Sequence, residues 1–383
     1  MTEASIIVNC RKLSFGKTLG VAKYIMNLSI ELKKYYNVIF AVQDTKQFNE
    51  YQAYSHPLAD FHAIELSKAP SEFSISENCV ELLPHHFTEP EICKRSVVVC
   101  HDLHAFDVPW KYSDAVHMQK TLTNVIDAAN AVVTHFPRTF YRLEHVTGIQ
   151  KVGLYLTQAP LMLNTNKLSD TRELSTEGRQ VLLYPAQLQE HKNHITLFEA
   201  LKILKRQRYD FELWLSGSEF STKATEAITK SISDLNLADD VRVLGNIADD
   251  ELLQLYRICD AVVVPSLAEG GAYVGLEAIA AGCPVMLSDI ESARLHANSV
   301  GAVVEWSDPT DAKDMANKIE RILDYGRTFC YRDNRNARRQ LMMQTWDQVA
   351  RQWVQIIEWV RGAGQRPITK VDPDGGNIEL SPP

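Results

Sequence analysis

Residues 261–287 read AVVVPSLAEGGAYVGLEAIAAGCPVML, and the stretch changes character three times. Ala261-Val262-Val263-Val264-Pro265 is a short β-branched run bounded by a turn signal, the mark of a buried strand. A loop of small residues follows, then a helix over Val274 to Ala281, then a second strand at Pro284-Val285-Met286-Leu287. Strand, small-residue loop, helix, strand is the repeating unit of an open parallel α/β sheet. Two glutamates, Glu269 in the loop and Glu277 in the first turns of the helix, have seven residues between them. Gly270, Gly271 and Ala272 let backbone N–H groups approach a ligand closely. The helix start adds amide donors and a positive dipole end for an anion. Carboxylates accept hydrogen bonds from vicinal hydroxyls. The local chemistry is that of a site for a phosphate flanked by sugar hydroxyls.

The same alternation extends in both directions. Upstream lie strands at Val181–Tyr184, Phe211–Leu215 and Val241–Leu244, and helices at Ile195–Leu204 and from Asp249-Asp250-Glu251 onward. A polar stretch between Pro160 and Gly178 separates this half from an earlier one. There Ser5–Asn9, Asn37–Val42, Ser96–Cys100 and Ala131–Thr134 read as strands, and Val21 to Tyr35 as a helix with Val21, Ile25, Leu28 and Leu32 on one face. The segment from Thr45 to Pro90 shows no clear period.

The expected organisation is an α/β chain of two facing Rossmann-like domains with a cleft between them. Residues 1–160 form the first domain, 161–178 a linker and 179–345 the second domain. Residues 346–361 form a helix packing back through Trp346, Val349, Trp353, Ile356 and Val360, and 362–383 a disordered tail. Asp372 and Asp374 in that tail look like a carboxylate pair for a metal, although a chance pairing is the simpler reading.

Composition narrows the function. The 383 residues are 45% hydrophobic and 23% charged, ordinary for a globular enzyme. A net charge of −8 argues against general binding to nucleic acid. Seven cysteines without zinc or redox spacing suggest reduced thiols, and the first residues lack the layout of a leader, so a cytoplasmic protein is expected. No stretch is apolar enough to span a bilayer, so any membrane contact would be peripheral.

The run Pro265-Ser266…Glu269-Gly270…Glu277-Ala278…Ala281-Gly282-Cys283-Pro284-Val285 resembles the signature of the retaining glycosyltransferases of family four, which have the GT-B fold. The resemblance implies that Glu269 contacts the donor sugar and Glu277 the nucleotide ribose. Lys192-Asn193, between a strand and a helix, is similar to the family's diphosphate-binding element, with the lysine on the phosphates. An arginine common six residues earlier is absent; that position is Ala186, and His191 or the other domain is left to supply a second cation. Gly16 and Thr18-Leu19-Gly20 resemble the glycine-rich first loop, with Gly20 facing the donor phosphates. His101, in Val97 to Pro109, is similar to the family's histidine near the reacting carbon. Thr134-His135-Phe136 falls on a short turn of the family and receives no role.

The resemblance implies a retaining hexosyltransferase acting on a nucleotide diphosphate sugar. GDP-mannose is slightly favoured over UDP-glucose or another UDP-hexose. No metal and no cofactor are expected, with Lys192, loop amides and a helix N-terminus stabilising the leaving diphosphate. The expected acceptor is a glycan or lipid-linked saccharide of surface polysaccharide synthesis. Peripheral contact with the inner leaflet would use Lys33-Lys34-Tyr35-Tyr36 or Arg138, Phe140, Tyr141 and Arg142. A sugar-nucleotide epimerase or phosphorylase on the same fold, and a non-catalytic subunit supporting a partner transferase, remain as alternatives.

Overall fold

The computed structural model describes residues 4–13, 19–55, 60–69, 71, 78–146, 152–157, 160–163, 178–219, 222–371 and 378–381. The chain divides into two units, residues 1–162 with 344–383, and residues 163–343. Most of the expected linker lies outside the described residues, as do Gly16, Thr18, Asp372 and Asp374.

The first unit is built on seven parallel strands, β1 (Ser5–Asn9), β2 (Asn37–Val42), β3 (His62–Glu65), β4 (Cys79–Leu83), β5 (Ser96–Val99), β6 (Ala131–Thr134) and β7 (Gly153–Leu156), in the order β3-β2-β1-β4-β5-β6-β7. The order reverses between β1 and β4. All four residues of β5 and of β6 are buried, as expected of strands covered on both faces. The unreadable stretch after Thr45 holds a helix (Thr45–Ser55), β3 and β4. β4 was illegible because its central residue is a carboxylate. Glu81 is wholly buried and accepts hydrogen bonds from Asn9 Nδ2 at 2.7 Å and from the N–H groups of Glu91, Ile92 and Cys93 at 3.0, 2.7 and 3.0 Å. Four donors offset the cost of burying it.

The helix Trp346–Val360 belongs to this unit and packs on the helix Leu19–Leu32. It starts in a capping box: Gln348 N–H donates to Thr345 Oγ1 and Thr345 N–H to Gln348 Oε1. Trp353 is fully buried and donates from Nε1 to Tyr24 Oη at 3.2 Å. Gly153 is required where Trp359 crosses β7, since a Cβ there would lie 2.7 Å from the indole ring.

The expectation of a disordered tail is corrected for its described residues. β14 (Ile368–Val371) and β15 (Ile378–Ser381) pair antiparallel, with Leu380 buried. Thr369 Oγ1 accepts from Leu156 N–H at 3.3 Å and Arg366 donates to Val152 O at 3.3 Å, so the hairpin is tied to β7. Polar composition disguised a two-stranded ladder with Leu380 buried near its end.

The second unit has six parallel strands, β8 (Gln180–Pro185), β9 (Phe211–Ser216), β10 (Val241–Gly245), β11 (Ala261–Val264), β12 (Val285–Ser288) and β13 (Glu305–Ser307). Their order is β10-β9-β8-β11-β12-β13, reversing between β8 and β11. The helices His194–Arg206, Asp249–Ile258 and Tyr273–Ala280 fall within two residues of their expected limits.

Candidate functional site

Adjacent strands β8 and β11 carry the two motifs at their carboxyl ends, which is the switch point of the sheet, where open α/β sheets bind ligands. The motifs are stitched together by backbone and side chain alike. Asn193 sits in the left-handed region (φ 60°, ψ 36°), which asparagine tolerates better than most residues. Its Nδ2 donates to Pro265 O at 2.9 Å and Pro309 O at 2.7 Å, and its Oδ1 accepts from Thr196 Oγ1 at 2.8 Å. Leu267 N–H donates to His191 O at 2.8 Å. Tyr184 Oη donates to Lys192 O at 2.9 Å and lies 3.0 Å from Ser266 Oγ. A phenol has one proton, so Ser266 is the donor in that second bond.

On this frame Lys192 Nζ donates to Glu269 Oε1 at 2.7 Å. The lysine and glutamate side chains are 17% and 18% exposed, so the pair is largely withdrawn from water and yet reachable. Gly270 is half-buried and Gly271 buried beside it.

Ala272 departs from its expected role. Its N–H donates to His296 Nδ1 at 2.9 Å, so this amide is committed inside the unit. Burial lowers His296 to about 4, so it is neutral at pH 7 and keeps the lone pair that accepts the bond. Glu277, in the second turn of the helix Tyr273–Ala280, is 6% exposed, and its Oε2 accepts from the buried Tyr256 Oη at 3.2 Å. Tyr184, Tyr256 and His296 are contributors that sequence reasoning missed. Tyr256 and His296 stand 21 and 24 residues from the groups they bond, and Tyr184, eight residues before Lys192, reads locally as an ordinary strand residue. Ala186 is buried, and its N–H donates to Ser216 O at 2.8 Å; His191 is buried as well. Gly217 is required beside it: at φ 152° a Cβ would lie 2.2 Å from Ala186 O.

The first unit holds the other expected residues. Gly20 lies in the first turn of the helix Leu19–Leu32 with open space around it, so nothing described demands a glycine there. His101 follows β5 and is 8% exposed. Its Nε2 lies 2.9 Å from Pro84 O and its Nδ1 3.4 Å from His135 Nε2. A carbonyl only accepts, so Nε2 carries the proton and Nδ1 accepts from His135. Tyr24 stacks on His135 with ring centroids 4.6 Å apart. Burial lowers His101, and it lowers His86 to about 4. Both ring nitrogens of His101 are engaged within the unit, so contact with a sugar hydroxyl requires one of these bonds to open.

The two basic-aromatic patches carry internal partners. Arg138 grips Asp107 in a bidentate pair at 2.6 and 2.8 Å, and Arg142 approaches the same carboxylate at 3.4 Å. Lys34 pairs with Glu31 and lies 3.6 Å from Asp347; Lys33 bonds Asp60 O and lies over the Phe61 ring. Among the described residues no helix is long and apolar enough to cross a membrane, and no cluster of three or more histidine, cysteine, aspartate or glutamate side chains is arranged to hold a metal ion.

Two parallel Rossmann-type units, the second with a lysine and two glutamates at its switch point, define a GT-B protein. HepE of Anabaena, solved in complex with UDP and glucose, has the same fold: TM-score 0.70 at 14% identity, covering 93% of this chain and all of that one (100%). Residues 167–340 match the family model for glycosyl transferases group 1. The chain is similar to the mannosylfructose-phosphate synthase of Agrobacterium fabrum, 25% identical over 187 residues, 48% of this chain and 41% of the relative. It is also similar to the MMP alpha-(1->4)-mannosyltransferase of Mycolicibacterium hassiacum, 28% identical over 199 residues, 52% of this chain and 47% of the relative. The matches thus span about half of each relative's length.

Proposed function

We propose that the chain is a glycosyltransferase that takes a hexose from a nucleotide diphosphate sugar bound at the β8/β11 switch point. The observation that carries this reading is the Lys192–Glu269 pair: two motifs 77 residues apart converge to 2.7 Å at the carboxyl end of the sheet. In this reading Lys192 holds the diphosphate, Glu269 the sugar hydroxyls and Glu277 the ribose, while Gly270 and Gly271 let the backbone approach the phosphates. Leaving-group charge is stabilised by the lysine and by the helix N-terminus at Tyr273. Transfer with retention of anomeric configuration, without metal or cofactor, is part of the proposal.

GDP-mannose is the favoured donor, a choice supported by the mannose-related names of both relatives. The UDP and glucose in HepE keep UDP-hexoses as the competing choice. The acceptor is a glycan or lipid-linked saccharide. The proposed test incubates the purified chain with GDP-mannose or UDP-glucose and a glycan acceptor, with and without EDTA. Release of nucleoside diphosphate that depends on acceptor and resists EDTA is expected. Acceptor-independent conversion of the donor would point to an epimerase instead, and no turnover with any donor to a non-catalytic subunit.

A further inference from the structure

Lys192 and Glu269 occupy each other, and that has consequences for what can enter. If the donor's phosphates and sugar use these same two groups, the 2.7 Å bond between them must open or be shared on binding. The backbone at Lys192 and two residues before Glu269 is tied down by hydrogen bonds. Lys192 O is held by Tyr184, Asn193 by Pro265 O and Pro309 O, and Leu267 N–H by His191 O. Parting of the two side chains is enough to open the pair.

We propose that the Lys192–Glu269 pair is a selectivity latch that favours an intact nucleotide sugar over its spent nucleoside diphosphate. The inference rests on the donor-site reading above. A bare diphosphate that draws Lys192 away leaves Glu269 without its cation in a largely dewatered place, beside like charge. An intact donor brings hydroxyl groups that donate to the freed carboxylate, so both halves of the opened pair are satisfied. Once the sugar has left, Glu269 returns to Lys192 and competes with the product diphosphate for it. One ion pair thereby couples phosphate recognition to sugar recognition and assists product release.

The test is isothermal titration of the full chain with UDP, GDP, UDP-glucose and GDP-mannose, using wild type, Glu269→Gln, Lys192→Met and the double variant. Glu269→Gln is nearly isosteric, and a melting curve of each variant verifies folding. For the base that wild type binds, Glu269→Gln should tighten the bare diphosphate about tenfold, the scale of one charge-assisted bond. It should also erase the preference for the intact sugar, and the gain should vanish in the Lys192→Met background. A gain that persists without Lys192 would show simple repulsion and overturn the latch. An unchanged or weaker diphosphate affinity in Glu269→Gln, with Lys192→Met still impaired, would overturn the latch and leave the donor site standing. Wild type that binds none of the four ligands would overturn both.

Discussion

The carboxyl edges of the two sheets have the same topology and opposite wiring. In the first unit the polar groups are sunk and spoken for: Glu81, in the middle of β4, takes four donors, and His101, at the carboxyl end of β5, is held by Pro84 O and His135. In the second unit Lys192 and Glu269 face each other at 17% and 18% exposure, within reach of a solute. One parallel α/β scaffold therefore supports a polar network that fixes the fold and a polar pair that can change partners. Burial decides which: an enclosed carboxylate must keep all its donors, whereas a part-exposed one can exchange them.

The comparison can be broken most forcefully at Asn193. Asn193→Ala gives up a residue suited to the left-handed backbone and leaves Pro265 O and Pro309 O short of a donor. A loss of about 2–4 kcal/mol, with weaker nucleotide binding, is expected in denaturant titration. Asn193→Gly should recover part of the stability by tolerating the backbone conformation. Glu81→Gln makes the complementary break in the first unit. It sets an amide among four N–H donors and should cost about 2 kcal/mol while nucleotide affinity stays unchanged.

Acid sharpens the contrast further. His86 and His296 are lowered to about 4 and His194 to about 3, in each case first by burial. The unfolded chain then binds protons between pH 6.5 and about 4 that the folded chain refuses, so stability falls as pH falls through that window. Near pH 5.5 each such histidine costs about 1.4 kcal/mol. Melting midpoints at pH 7.5 and 5.5 check this, and His296→Asn should blunt the loss while its amide oxygen replaces the acceptor for Ala272. The smallest effect is expected from Tyr24→Phe, which removes the acceptor of Trp353 Nε1. About 1 kcal/mol of stability should go, with nucleotide binding intact.

Legibility in the sequence followed the same division. Runs such as Val97-Val98-Val99 and Ala261–Val264 announced central strands because both faces are buried. β3 did not, since His62 and Glu65 are exposed at the sheet edge, and β4 hid behind Glu81. β13 is three residues long, too short for any period. Lys192 and Glu269 could be singled out because each stands in a local motif. Tyr256 and His296 act on the neighbouring loop and helix through folds of the chain that no local pattern encodes, and Tyr184, though only eight residues before Lys192, reads as one more buried strand residue. The amide of Ala272 could not be assigned from sequence, because its acceptor lies 24 residues away on another helix.

The central claim is that the exchangeable pair in the second unit is a nucleotide site. The most direct measurement is the melting midpoint of wild type and Lys192→Met with GDP and with UDP at equal, saturating concentration. A ligand at 100 times its Kd stabilises by about 2.7 kcal/mol, so one nucleotide should raise the wild-type midpoint by several degrees and leave Lys192→Met nearly unmoved. No shift with either nucleotide, or the same shift in Lys192→Met, would contradict the account.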